Sequence, residues 1–255
     1  MFPLRDDNPT ELTPYVAAAL VALNVVIWLY VQGAGMSEAA MVESICRFGT
    51  IPAEVTGRMG TYTGVDLGAG QVCYFGGWTW QTVLSSMFFH GSWMHLIGNM
   101  WFLWLFGNNV EDSMGHTRFL AFYLLTGLAA AAAHIFSAGD SPVPTVGASG
   151  AISGVMGAYL VLYPRVKIHT LFIFIIFIRI IPVSAWLILA YWFFIQLFSG
   201  YMTPAGGGGV AFWAHVGGFV GGLLLVKPFE NKLLVHAKKA HVQLSPWEVE
   251  RRGWW

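Results

Sequence analysis

The chain has 255 residues, of which 56% are hydrophobic and only 10% charged, against about 25% charged in a typical soluble domain. The apolar content excludes a disordered chain, and a count of two cysteines excludes a disulfide scaffold. Thirteen basic residues balance thirteen acidic ones, which leaves no net charge to hold a nucleic acid. The class that remains is an integral membrane protein.

A membrane helix needs about 20 mostly apolar residues, and charge-free stretches locate six candidates in chain order. The first span covers residues 15–31. The second covers 93–106, with 83–89 leading in; the third 119–136; the fourth 147–163. A charge-free stretch at 180–226 is too long for one crossing and is broken by Pro204 and a run of glycines ending at Gly209, giving spans at 183–198 and 212–226. Residues 171–181 are apolar but too short to cross alone, and contain Arg179. They read as an interfacial segment or as a kinked cytoplasmic extension of the fifth span. Between the first and second spans lies a long loop, roughly 32–80, which holds both Cys46 and Cys73. Outside the cytoplasm these two either pair or stay as free thiols.

Basic residues orient the spans. With six crossings, Arg5, Arg118, Arg165, Lys167, Arg179 and the six Lys and Arg of the tail share one side, and only Arg47 and Arg58 lie on the other. Both termini are therefore expected in the cytoplasm, with the first span acting as an uncleaved signal anchor. The expected organisation is a short N-terminal segment (1–13), a six-span domain (14–226) and a basic tail (227–255). The tail reads as a flexible segment or a membrane-surface helix.

Polar groups are costly inside a bilayer, so each needs a reason. No acidic residue falls in any predicted span. Asn24 and Gln196 read as interhelical hydrogen-bonding residues, and His134 as a group reaching the interface. His95, Asn99, Ser149 and His215 differ because they share a depth. The second, fourth and sixth spans run in one direction, and these four residues lie near their starts, in the outer third of the membrane. His95 and Asn99, four apart, share a helix face. Gly150, Gly154 and Gly157 line one face of the fourth span, and the pairs Gly217/Gly221 and Gly218/Gly222 form two overlapping GxxxG motifs in the sixth. Close packing of these two spans draws Ser149 towards His215. Residues 212–226 make roughly 22 Å of helix, shorter than the hydrocarbon core of about 30 Å. The sixth span is thus expected to start below the outer surface, under a wet pocket.

At these residues the sequence resembles the rhomboid family of intramembrane serine proteases, over about residues 14–226. The motif GxSG stands as Gly147-Ala148-Ser149-Gly150, AHxxGxxxG runs from Ala214-His215 to Gly222, and HxxxN is His95 to Asn99, with the family's upstream histidine at His90. The resemblance implies an all-α membrane protein, a six-transmembrane-helix bundle of rhomboid type with a long first outer loop. It implies a Ser–His dyad without an acid: Ser149 as nucleophile, His215 as general base, and His95, Asn99 and the Ser149 N–H as the oxyanion hole, with no metal or cofactor. Expected partners are the lipid bilayer and single-span transmembrane protein substrates, cleaved near the outer face. Two positions depart from the family. Gln81 and Thr82, after Trp80, stand where many members carry a Trp-Arg pair. Ser153 stands where some have a tyrosine supporting the histidine; it either orients His215 or is a small packing residue.

Three other readings compete. A zinc protease lacks its HExxH motif. A catalytically inactive rhomboid-like protein that binds membrane clients would not need an intact Ser149 and His215. A transporter would spread ionisable residues along a path rather than cluster them at one end. The short N-terminus without a transit peptide points to a bacterial plasma membrane.

Overall fold

The computed structural model describes residues 1–61, 63–67, 71–76, 79–174, 177–203, 209–239, 247 and 251. The predicted break at Pro204 falls outside them, as does the tail beyond Lys239 apart from Trp247 and Arg251.

All six apolar stretches form helices: α1 is Tyr15–Tyr30, α5 Trp93–Met114, α6 His116–Ser137, α7 Ser149–Leu162, α8 Ala185–Met202 and α9 Phe212–Phe229. Of these, α6, α8 and α9 are long and apolar enough to cross a membrane by length and composition, while α1 and α7 are shorter apolar helices. Among the described residues, the segment between α1 and α5 holds three short α-helices, α2 (Glu38–Phe48), α3 (Pro52–Thr56) and α4 (Thr82–Ser85), and a two-stranded hairpin, β2 (Gly64–Asp66) with β3 (Val72–Tyr74). Cys46 on α2 is disulfide-bonded to Cys73 on β3, resolving the alternative left open by the sequence. The bridge spans a sequence separation of 27 residues, a closure worth about 3.5 kcal/mol in the chain-entropy model. Mass spectrometry without reduction should find both cysteines resistant to alkylation; alkylation of both would contradict the bridge.

The second span was expected to end near residue 106, with no acid in any span. Helix α5 instead continues through Glu111 and Asp112, both buried. Their carboxylates are matched to backbone donors. Glu111 accepts from the N–H groups of Val16 and Ala17, in the first turn of α1, at 2.9 and 2.8 Å. Asp112 accepts from Glu11 and Leu12 at 2.9 and 2.7 Å. The start of α1 has no side-chain cap of its own, so α5 supplies the acceptors its free donors need.

Residues 171–174 and 177–181 are not a helical extension of α8. They belong to an antiparallel hairpin of β4 (Lys167–Phe174) and β5 (Phe177–Ser184), with β1 (Phe2–Asp6) added on the other side of β4. The order is β1-β4-β5, with Phe2 opposite Leu171 and Lys167 opposite Ser184. Repeated isoleucines favour extended backbone, and Pro182, which has no N–H, sits on edge strand β5. The protein is therefore mostly helical but not all-α. Strand β1 is held to α5 by Trp101 Nε1, which donates to the Pro3 carbonyl at 2.8 Å.

The beginning of the tail is also ordered. Helix α10 (Lys232–Lys239) packs on α5, where Lys238 Nζ meets Asp112 at 2.6 Å and Asn109 at 2.9 Å. Burial lowers the Lys238 pKa, against the opposing pull of Asp112. Burial also raises that of Asp6, despite its hydrogen bond from Tyr159.

The centre of the bundle is α7, buried from Gly150 through Tyr159. The two GxxxG pairs of α9 were expected to pack against α7; one of them does, and the other faces α6. A Cβ on Gly218 or Gly222 would collide with the carbonyl oxygens of Gly150 and Gly154 on α7. On Gly217 or Gly221 it would meet Ala133 or Ala129 on α6. Offsetting the pairs by one residue rotates the contact by about 100°, since the helix has 3.6 residues per turn, and wedges α9 between two neighbours.

Candidate active site

Three helix N-termini meet at one level. Ser149 is the first residue of α7, and His215 lies in the first turn of α9. His95 is in the first turn of α5, with Asn99 one turn further. The small-residue contacts between α7 and α9 set the spacing, and His215 Nε2 lies 2.8 Å from Ser149 Oγ. A cavity of about 690 Å³ opens over this pair, lined among others by His95, Asn99, Gly147, Ser149, Trp192 and His215.

The turn before α7 explains its glycine. Gly147 has φ +134°, a region that disfavours side chains, and a Cβ there would fall 2.7 Å from His95 Nε2. Its N–H donates to the Ser86 carbonyl at 2.9 Å. Ser86 in turn bonds to Thr50, and Thr50 and Thr145 exchange backbone hydrogen bonds of 2.9 and 2.8 Å. The long segment between α1 and α5 thereby braces the turn that presents Ser149. Trp80, beside the departure from the family pattern, is 71% exposed and Thr82 is buried. The Thr82 carbonyl accepts from Thr50.

His95 has a defined proton. The Gly91 N–H donates to its Nδ1 at 3.3 Å, so in the neutral ring the proton sits on Nε2, the nitrogen facing Gly147. Asn99 Nδ2 is buried and has no hydrogen-bond partner among the described residues. A buried donor left unpaired costs about 1–3 kcal/mol, an expense that a transient negative oxygen in the cavity would recover. His134 also lines the cavity, with Nε2 2.9 Å from Thr145 Oγ1. No group of three or more His, Cys, Asp or Glu side chains that could hold a metal occurs among the described residues.

Three polar residues singled out in the sequence find their partners here. Ser153 does not orient His215; its hydroxyl donates to the Ser149 carbonyl at 2.6 Å, one turn back on its own helix. Gln196 does make the interhelical hydrogen bond expected of it, and its partner is His215: its Oε1 lies 2.7 Å from His215 Nδ1. One turn earlier on α8, the Trp192 ring lies against His215, with centroids 5.8 Å apart. The spacing of Trp192 and Gln196, four apart in an apolar span, was the available signal. Asn24, by contrast, does not bridge helices through its amide N–H, which donates to Leu20 on the same helix at 2.7 Å.

A model of the Rhomboid domain matches residues 77–230. Rhomboid protein 1, mitochondrial, of Saccharomyces cerevisiae is 28% identical over 152 residues, 56% of this chain and 40% of that protein. Rhomboid protease GluP of Bacillus subtilis is 37% identical over 105 residues, 41% of this chain and 20% of that protein. Presenilin-associated rhomboid-like protein A, mitochondrial, of Danio rerio is 35% identical over 88 residues, 34% of this chain and 23% of that protein. The matched region spans two fifths or less of the length of each of these relatives. With the domain match covering more than half of its residues, the chain belongs to the rhomboid family.

Proposed function

We propose that the protein is an intramembrane serine endopeptidase that hydrolyses peptide bonds of single-span transmembrane substrates near the outer membrane face. The observation that carries this reading is the 2.8 Å contact of His215 Nε2 with Ser149 Oγ in an open cavity. His215 Nε2 takes the hydroxyl proton as Ser149 Oγ attacks the scissile carbonyl carbon. Negative charge moves onto the carbonyl oxygen, met by the Ser149 N–H, His95 Nε2–H and Asn99 Nδ2–H at the positive end of α7. Collapse breaks the C–N bond, and the His215 proton passes to the leaving amine. Water, deprotonated by the same nitrogen, then releases the acyl group and restores Ser149.

In this reading α1, α5, α6, α7, α8 and α9 cross the bilayer with both termini in the cytoplasm. The one-sided distribution of basic residues and the N-terminal starts of α5, α7 and α9 at one level support it. The segment between α1 and α5 is then the long first outer loop, where its disulfide is chemically at home. The expected bacterial plasma membrane gains no support from relatives named as mitochondrial. The alternative, an inactive client-binding relative, is disfavoured by the retained contact between Ser149 and His215.

A fluorophosphonate probe tests the reading without a known substrate. Wild-type protein in detergent should label at Ser149, and Ser149→Ala should not; wild type that takes no label would refute it. Asn99→Ala should slow labelling and cleavage by about 10²–10³-fold, the usual loss for one oxyanion donor, with activity still measurable because two donors remain. Loss as complete as that of Ser149→Ala would show instead that Asn99 dominates the oxyanion site.

A further inference from the structure

We propose that Gln196 is a positioning residue that completes the site as a neutral third member, fixing the tautomer and direction of the His215 ring. The inference rests on the serine-protease reading above. His215 must present a lone pair on Nε2 to accept the Ser149 proton, so its neutral form must carry its proton on Nδ1. Gln196 Oε1 is an acceptor 2.7 Å from Nδ1, and that bond holds the proton where the reaction needs it. Two hydrogen bonds thus form a chain from Gln196 Oε1 through the two ring nitrogens of His215 to Ser149 Oγ.

Nothing on α7 does this work, because the Ser153 hydroxyl is engaged by the Ser149 carbonyl. The support comes from α8, and from one face of it: Trp192 and Gln196 are a turn apart, and both reach His215. The same face is packed onto α9 below the site, where the rings of Phe193 and Phe219 stack at 4.6 Å. Gln196 is only 7% exposed, so its rotamers are restricted and the acceptor is preorganised. An amide suits this place better than an acid. It orients the ring as an asparagine does in Cys-His-Asn proteases, without burying a carboxylate in an apolar bundle.

The test uses the full-length protein in detergent with two variants. Gln196→Met keeps the volume and removes the acceptor; Gln196→Glu keeps the acceptor and adds a charge. The rate of fluorophosphonate labelling of Ser149 is measured across pH at several probe concentrations, and histidine 15N NMR reads the tautomer of His215 directly. The wild-type ring should be protonated on Nδ1 when neutral, and Gln196→Met should show a mixture of tautomers. The maximal labelling rate of Gln196→Met should fall about 10–100-fold, less than the about 10⁴-fold loss known when a tautomer is reversed, with the probe's saturation constant unchanged. In Gln196→Glu the acidic limb of the pH profile should move up by about 1–3 units, because a carboxylate beside the ring favours its charged form. A wild-type ring protonated on Nε2, a Gln196→Met rate within twofold of wild type at every pH, or an unmoved limb in Gln196→Glu would each overturn the proposal. Failure of wild type to label would instead strike the protease reading, leaving the NMR spectrum to judge the Gln196 bond by itself.

Discussion

Ser149→Ala is expected to reduce cleavage of a transmembrane substrate to background, and His215→Ala to do nearly the same. The first variant removes the only hydroxyl in contact with His215 Nε2 among the described residues, so no acyl-enzyme forms. The second leaves the hydroxyl without a base. No carboxylate is in contact with it among the described residues, and the neighbouring Ser153 hydroxyl is held by a backbone carbonyl. Each loss should exceed about 10⁴-fold, and because the two residues act as a unit the double variant should be little worse than either alone. Both proteins should remain folded, since the close contacts of α7 with α9 are made by glycines and backbone rather than by these side chains. Comparing cleavage in reconstituted vesicles with thermal melts of the same preparations separates lost chemistry from lost structure. Multiplicative losses in the double variant would mean that Ser149 and His215 do not act together.

Gly218→Ala is the second large effect expected, through packing rather than chemistry. The added methyl would run into the Gly150 carbonyl oxygen, a backbone atom that cannot rotate away, so α7 and α9 must separate. Gly150 follows Ser149 and Gly218 lies one turn after His215, so the separation opens at the dyad itself. Overpacking of this kind costs about 1–3 kcal/mol. The lengthened Ser149–His215 contact should also lower activity in whatever protein still folds, about 10²-fold for a misplacement near 1 Å. Gly221→Ala is the matched control. Its methyl would approach the Ala129 side chain on α6 at 3.0 Å, a tight contact away from α7, and should cost less stability and little activity. Melting temperature and labelling rate measured side by side check both; equal effects at the two positions would mean that the α7 contact has no special role.

The positions of the helices and of the Ser149–His215 pair were legible in the sequence because the bilayer imposes a simple rule on it. Apolar length marks a span, and an uncompensated polar residue within one is conspicuous. Ser149, His215, His95 and Asn99 stood out for that reason, and their common depth followed from counting along parallel spans. The hairpin at 167–184 was not legible, since a short isoleucine-rich stretch satisfies a strand and an apolar helix equally well. Its pairing with residues 2–6 joins segments far apart in sequence. The acidic end of α5 was hidden for a related reason. Glu111 and Asp112 read as the edge of a span until backbone donors of Glu11, Leu12, Val16 and Ala17 are brought to them.

By itself the sequence determined the apolar spans, the motif residues and the glycine faces, all of which depend on spacing along one helix. Only the tertiary structure decided which glycine pair faces which neighbour, because a one-residue offset redirects a helix face by an angle whose meaning depends on where the other helices stand. It also decided the partner of His215. The sequence raised only Ser153 for that place; Gln196 takes it because α8 packs its Trp192–Gln196 face against α9, which brings an amide oxygen to 2.7 Å from the ring. A hydrogen bond is formed or lost over less than an ångström, a distance that spacing along a chain cannot specify between residues on different helices.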